Sequence, residues 1–199
     1  MPSPIFIGLG HYSNVGKDSY ANFLVEALEQ YKVSALKISF AYKLKAICHD
    51  LYAWAGLQDA EYYEVHRDQR DVVLPELGKT PIEIWVDFGT KAVRKKVYDY
   101  TWINYVLRRT YHHHVVIIPD VRFENEIDAI RDKDGVVFKI ERPGVKPRDT
   151  EADMALVNYD KWDMVIVGRA LDDLQCDAEK TAQVVARSIL VSEYQETPK

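Results

Sequence analysis

The sequence has few cysteines and no long apolar run, and each shortage argues against a class of protein. Only Cys48 and Cys176 are present among 199 residues, too few and too far apart for a disulfide framework or a paired-cysteine metal knuckle. No apolar stretch approaches the roughly 18–20 residues that cross a bilayer, and the N-terminus lacks the basic flank and apolar core of a signal peptide. We therefore expect a cytoplasmic protein with no membrane partner.

Positive charge is also in short supply. The chain has 26 Lys and Arg against 31 Asp and Glu, a formal charge of −5. A protein that coats a polyanion is expected to have the opposite balance, so we expect no nucleic-acid partner. A cationic pocket for a small phosphorylated ligand is still compatible with this charge, because net charge says little about a single cleft.

Hydrophobic residues make up 47% of the chain, which fits one compact globular domain over residues 1–199. Short apolar runs alternate with stretches of helical periodicity, and this alternation predicts an α/β fold with a mainly parallel sheet. Five strands are expected, at Pro4–Leu9, Val33–Ile38, Val115–Asp120, and from Val136 and Asp163. Helices are expected at 17–31, 40–54, 81–94, from 101, at 124–132 and at 172–192, with a charged helical insertion at 59–79.

The strongest local motif is GHYSNVGKDS, Gly10–Ser19, between the first strand and the first helix. In this position a glycine-rich loop turns backbone N–H groups toward phosphate oxygens, and Lys17 would bridge the outer phosphates. The usual pattern is G-x-x-x-x-G-K-[ST]. Here five residues separate Gly10 from Gly16, and Asp18 replaces the hydroxyl residue. The alternative is an ordinary strand-to-helix turn with a solvated lysine.

Two other groups of residues are interpreted as structural. His112, His113 and His114 are consecutive. On an extended chain they point to alternate sides, so they cannot converge on one ion and no native metal site is expected there. Both cysteines lie within apolar helical patterns without a basic neighbour, so we expect them to be inert packing residues.

Several segments, in order along the chain, carry a family resemblance. They are GKD at Gly16–Asp18, FAYKLKAICHDLY at Phe40–Tyr52, TPIEIWVDFGTKAVR at Thr80–Arg94, Trp102, PDVRFENE at Pro119–Glu126 and ERPG at Glu141–Gly144. From Ile5 to about Gly168 the chain resembles the deoxynucleoside monophosphate kinases of tailed bacteriophages, which belong to the P-loop nucleoside monophosphate kinase-like enzymes.

The resemblance implies a three-layer P-loop kinase fold with a helical acceptor-binding region at 39–112 and a short lid-like segment at 142–162. It implies an ATP- and Mg²⁺-dependent enzyme that converts a deoxynucleoside monophosphate (dNMP) to the diphosphate (dNDP) for phage DNA synthesis in the host cytoplasm. It also implies a homodimer.

Candidate site residues follow from the motifs and the resemblance together. Phosphoryl transfer depends mainly on alignment and charge neutralisation, so cations and metal-binding carboxylates are the expected machinery. The catalytic candidates are Lys17, Asp120, Arg122 and Arg142. The ATP-binding candidates are Asn14, Val15, Gly16, Lys17, Asp18 and Ser19, and the metal-binding candidates are Asp18, Ser19 and Asp120. The acceptor-binding candidates are Lys43, Arg67, Arg70, Gly89, Thr90, Arg94, Trp102, Asp120, Arg122 and Glu126.

Structural alternatives stand beside these roles. Asp120 and Arg122 could form only an ion pair, Trp102 could be a core residue, and Glu126 a solvated helix residue. Two other functions also stay open. One is a P-loop kinase of another small phosphorylated metabolite, and the other is a nucleotide-binding regulatory protein without turnover.

Overall fold

The computed structural model describes residues 3–196, which form an α/β structure. Contacts divide the chain into two compact units. One consists of the segments up to Ile38 and from Thr110 onward, and the other of Ser39–Arg109. The acceptor-binding role expected of residues 39–112 stays a prediction.

The first unit contains one five-stranded sheet in the order β2-β3-β1-β4-β5, with every neighbouring pair parallel. The five expected strands and the α/β class are confirmed, and the sheet is entirely rather than mainly parallel. The arrangement is consistent with a P-loop kinase-like fold. The strands are β1 (Ile5–Gly10), β2 (Ala35–Lys37), β3 (Val115–Val121), β4 (Val136–Glu141) and β5 (Met164–Val167).

Eight α-helices lie within the described residues. None of them combines the length and apolar character needed to span a bilayer. The last helix extends four residues past its expected end, and the polar connection before β5 contains one short helix. The helices are α1 (Lys17–Gln30), α2 (Tyr42–Tyr52), α3 (Ala60–Val65), α4 (Pro81–Trp85), α5 (Thr101–Leu107), α6 (Glu124–Arg131), α7 (Glu151–Met154) and α8 (Leu171–Glu196).

The alternation of side chains along β1 explains how helices cover both faces of the sheet. Ile7 and Leu9 are fully buried in a core with residues of α1 and α8. Gly8 faces the opposite side, where a Cβ would lie 2.7 Å from Cδ1 of Ile130 in α6. Within the first unit, the sheet is therefore the middle of three layers.

A bulge in β3 shapes the end of the strand. Gly8 pairs with Ile118, whereas Gly10 pairs with Val121, so β3 contains one residue more than β1 between these two pairs. Pro119 lies in this stretch and has no N–H to donate to the ladder. Bulges commonly redirect side chains beside functional sites, and this one contains Asp120 and lies just before Arg122.

The second unit differs from expectation in one helix. Residues 81–94 were predicted to be α-helical, but α4 is followed by a π-helical segment, Val86–Val97. The expected start is confirmed: Thr80 Oγ1 accepts from Glu83 N (3.2 Å), and the Glu83 carboxylate accepts from Thr80 N (2.8 Å). Apolar spacing of three and four residues does not distinguish the two helix types, so the sequence could not indicate the change.

Gly10 ends β1 against an aromatic ring, and this contact predicts the effect of Gly10→Ala. A Cβ at this position would lie 2.5 Å from two ring atoms of Trp162. We expect a loss of about 1–3 kcal/mol in the free energy of unfolding, measured by urea denaturation, because a packed ring must move. In a Trp162→Leu background the added cost should fall well below 1 kcal/mol. An equal cost in both backgrounds would contradict this explanation.

Candidate phosphate-binding site

The loop between β1 and α1 has the backbone conformation of a tight turn. Three of its residues have positive φ: His11 (107°), Asn14 (63°) and Gly16 (102°). A Cβ on Gly16 would approach Leu174 Cδ1 to 2.7 Å, so glycine is required there on two grounds. Since β1 includes Gly10, the loop begins at His11, which occupies the place of the usual first glycine when counted back from Gly16. The spacing anomaly is therefore a histidine at a glycine position rather than an extra residue.

His11 is held in this conformation by its side chain. The ring is buried, stacks on Tyr12 at a centroid distance of 3.6 Å, and lies 3.2 Å from the Ile140 carbonyl through Nδ1. Burial, followed by the charge of Lys139, lowers the pKa of His11 to about 4. The ring is neutral at pH 7, and Nδ1 carries the proton because the carbonyl oxygen can only accept.

Lys17, the first residue of α1, is a buried cation in the loop. Its side chain is only 6% exposed, and Nζ donates to the carbonyl of His11 at 2.9 Å and to that of Tyr12. Burial, and then the neighbouring charge of Arg122, lower the pKa of Lys17 from 10.5 to about 7. The loop carbonyls therefore hold an ammonium group that would gain from an anionic ligand.

The N-terminus of α1 can receive such an anion. The helix has 14 residues, and its N-cap residue, Gly16, has no side chain that could cap the first turn. The first N–H groups of a helix bind anions through their partial positive charge. Asp18 and Ser19 are half-buried on this first turn, and Val15, just before it, packs in the core. Asn14 is exposed on the loop.

Arg122, just beyond β3, also contacts the loop. Its Nη1 donates to the His11 carbonyl at 2.9 Å, and its Nη2 lies 3.3 Å from Ser13 Oγ. The negative charges of Asp120, two residues earlier, and of Asp18 act in the opposite direction and raise the pKa of Lys17. The structure thus brings Lys17, Arg122 and the two candidate metal-binding carboxylates together.

Glu126 has a structural contact. It is 4% exposed, and its carboxylate accepts from the backbone N–H of Arg122 (2.6 Å) and Phe123 (3.1 Å). It therefore satisfies backbone N–H groups at the N-terminal end of α6 instead of lying solvated on a helix surface.

Asp153 in α7 is a residue that sequence reasoning missed. Its carboxylate accepts from Ser13 N (3.1 Å), Ser13 Oγ (2.9 Å), Arg122 Nη1 (2.7 Å) and Arg148 N (3.1 Å). Burial alone would raise the pKa of Asp153, but these donors and the charge of Arg122 lower it below its usual value. An acid within a polar connecting segment gives no sequence signal that it is buried. Arg142, in the same lid-like segment, is exposed.

In the second unit, three cations surround one carboxylate. Glu64 lies 3.4 Å from Lys45 Nζ, 3.1 Å from Arg70 Nη2 and 3.7 Å from Arg67 Nη2. Partial burial would raise the pKa of Glu64, but the charges of Lys45 and Arg70 outweigh it and lower the pKa. Three cationic side chains thus contact one carboxylate. Lys45 belongs to this cluster, whereas the predicted Lys43 has no contact with it.

Three of the remaining acceptor candidates lie on the π-helical segment, and the fourth, Trp102, lies on α5. Trp102 is 7% exposed, and its Nε1 donates to the Gly89 carbonyl at 3.2 Å, so these two form one packed pair. Arg94 is buried, and its Nε donates to Asp99 at 2.8 Å. Thr90 is half-buried beside Gly89.

Within residues 3–196 no three His, Cys, Asp or Glu side chains cluster as a metal site would require. The histidine run includes His114, whose Nδ1 contacts Ser34 Oγ at 2.9 Å. Asp18, Ser19 and Asp120 offer the oxygen ligands that Mg²⁺ prefers, and Mg²⁺ commonly takes the rest of its shell from phosphates and water.

Comparison with known proteins gives one informative likeness. The chain is 28% identical over 178 residues to a protein of Acanthamoeba polyphaga mimivirus named "Putative deoxynucleotide monophosphate kinase". The similarity covers 82% of this chain and 88% of that protein. No protein-family model matches the chain. The similarity supports a deoxynucleotide monophosphate kinase-like family.

The burial of Lys17 predicts a pH dependence of stability. The unfolded chain keeps this proton up to about pH 10.5, whereas the folded chain releases it near pH 7. Raising the pH between these values therefore favours the folded state. We expect the free energy of unfolding of the wild type, relative to Lys17→Met, to rise by about 1–4 kcal/mol from pH 6.5 to 10. A constant difference across this range would show that Lys17 is not desolvated.

Proposed function

We propose that the protein is a deoxynucleoside monophosphate kinase that transfers the γ-phosphoryl group of ATP to a dNMP and yields dNDP. The main support is that Lys17 and Arg122 both donate to the same carbonyl of the loop, just before a helix whose N-cap residue is a glycine. The mimivirus relative's name supports the choice of acceptor. Supply of dNDP for phage DNA synthesis, as the family resemblance implies, belongs to the same proposal.

On this proposal the triphosphate binds the loop and the first turn of α1. Loop N–H groups from Asn14 to Ser19 donate to phosphate oxygens, and the Lys17 ammonium moves from the loop carbonyls to them. Mg²⁺, held by Asp18, Ser19 and Asp120, would supply neutralisation of phosphate charge. Arg122 and the exposed Arg142 would act on the transferring group as cations provided by the chain itself.

The acceptor phosphate is proposed to bind the cluster of Lys45, Arg67 and Arg70. Three cations contact one carboxylate there, and guanidinium groups suit phosphate oxygens in pairs. Arg70 is already oriented, because its Nε donates to the Tyr63 carbonyl at 2.9 Å. The residues around Trp102, with Gly89, Thr90 and Arg94, would contribute to the base and sugar side of the acceptor.

The proposal is tested by incubating the purified protein with ATP, Mg²⁺ and each of the four dNMPs. ADP release is measured by a coupled assay and the dNDP is identified chromatographically. We expect acceptor-dependent turnover with at least one dNMP. Lys17→Met should reduce it by about 100-fold or more, because the cation facing the moving phosphoryl group is lost. If none of the four dNMPs causes ADP release, the proposal is contradicted. Release with another phosphorylated metabolite instead would identify a different acceptor.

The acceptor site predicts a separate effect of Arg70→Ala. Loss of charge-assisted hydrogen bonds should raise the KM for the dNMP by about 10- to 100-fold and leave the KM for ATP within about twofold. Arg108→Ala is the matched control, since Arg108 is an exposed arginine of the same unit, and it should leave both constants unchanged. A rise in the ATP KM alone would reverse the assignment.

A further inference from the structure

Asp153 contacts three separate parts of the first unit. Its side chain is 2% exposed. Its carboxylate accepts from Ser13 in the loop, from Arg122 after β3, and from the backbone of Arg148 in the lid-like segment. Its own backbone is fixed by Thr150, whose Oγ1 accepts from Asp153 N at 3.3 Å.

The same contacts fix the guanidinium of Arg122. One N–H group of Nη1 points to Asp153 and the other to the His11 carbonyl, while Nη2 lies beside Ser13 Oγ. Of the five N–H groups of an arginine, the Nε–H and one on Nη2 have no partner among the described side chains and backbone groups of residues 3–191. These two adjacent groups form a fork that matches two oxygens of a phosphate. Asp153 thus occupies one end of the guanidinium and leaves its side edge available.

We propose that Asp153 is a positioning residue that fixes the Arg122 guanidinium and Ser13 of the loop, so that the free edge of Arg122 meets the transferring phosphoryl group. The identity of that ligand rests on the proposed function. The contact also makes the lid-like segment part of the phosphate site, because α7 supplies the carboxylate.

The charge balance favours this role over a purely packing role. Lys17 and Arg122 share the His11 carbonyl as acceptor, so the two cations lie close together, and Lys17 is only 6% exposed. Without the ion pair to Asp153, the Arg122 guanidinium would lose its charged partner at Nη1 while the repulsion from Lys17 remained. Asp153 is a buried carboxylate that bonds directly to this guanidinium. An amide in its place has one acceptor oxygen and presents N–H groups to neighbours that are themselves donors.

The first experiment measures kcat in a double-mutant cycle with Asp153→Asn and Arg122→Ala. Asp153→Asn should lower kcat by about 10- to 100-fold, as removal of an orienting partner does elsewhere. In the Arg122→Ala background the same change should cost less than about threefold, because no guanidinium is left to orient. The control Asp149→Asn makes the same change of charge at an exposed site in the same segment, and it should leave kcat unchanged. Equal costs in both backgrounds would overturn the proposal, since a residue needed only for folding adds independently.

The second experiment needs no activity and so separates this inference from the proposed function. In protein labelled with ¹⁵N-arginine, the guanidinium signals of Arg122 should show restricted rotation in the wild type and in Asp149→Asn, and free rotation in Asp153→Asn. If Asp153→Asn does not fold, the milder variant Ser13→Ala takes its place. In that variant the Arg122 guanidinium should rotate partly freely, and kcat should fall by about three- to tenfold. The proposal would be overturned if the Arg122 guanidinium rotated no faster in the variant tested than in the wild type. This holds for Asp153→Asn, or for Ser13→Ala if it is used instead, even if the wild type proves to be an active kinase. Faster rotation would support the proposal even if no dNMP is phosphorylated.

Discussion

The carbonyl of His11 is the point on which the candidate site depends. It accepts from both Lys17 Nζ and Arg122 Nη1, each at 2.9 Å. The buried Lys17 and the half-buried Arg122 repel one another, and the lowered pKa of Lys17 reflects its burial first and then the charge of Arg122. The fold offsets this repulsion with backbone carbonyls and with the carboxylate of Asp153. Both cations are therefore fixed at the loop by the protein's own groups.

The position of that carbonyl follows from strain in the backbone. His11 has a φ of 107°, a conformation that usually costs a non-glycine residue about 1–3 kcal/mol. Its neutral ring compensates by stacking on Tyr12 and by its contact with the Ile140 carbonyl in β4. A glycine at this position would relax the backbone but would lose both contacts. The histidine therefore ties the loop to the sheet in a way that glycine cannot.

The sequence predicted the strands well and the site in part, and particular residues explain the difference. Continuous apolar runs such as VVII at Val115 specify a buried strand by themselves, and the loop motif located Lys17. Asp153 could not be predicted, because its burial depends on contacts with residues more than 30 positions away. Lys45 rather than Lys43 pairs with Glu64 because Lys45 lies on the face of α2 that meets this carboxylate. The apolar spacing of α2 does not indicate which lysine faces Glu64. The roles assigned to Trp102 and Glu126 stay predictions, and both side chains are buried.

The overall charge of this protein is negative, whereas individual cations lie in the loop and around Glu64, and this contrast favours small ligands over an extended polyanion. A net charge of −5 repels an extended polyanion at long range. Within a Debye length of about 8–10 Å, however, a phosphate meets the cations of the loop or those around Glu64. A nucleotide is small enough to be governed by this near field, whereas a nucleic acid must also approach the acidic remainder of the surface. On the proposed function, a phosphate must replace the existing partners of Lys17 and of the cations around Glu64, whereas the side edge of the Arg122 guanidinium is available to it. Selectivity then comes from how well a ligand's oxygens match the fixed donors rather than from attraction alone.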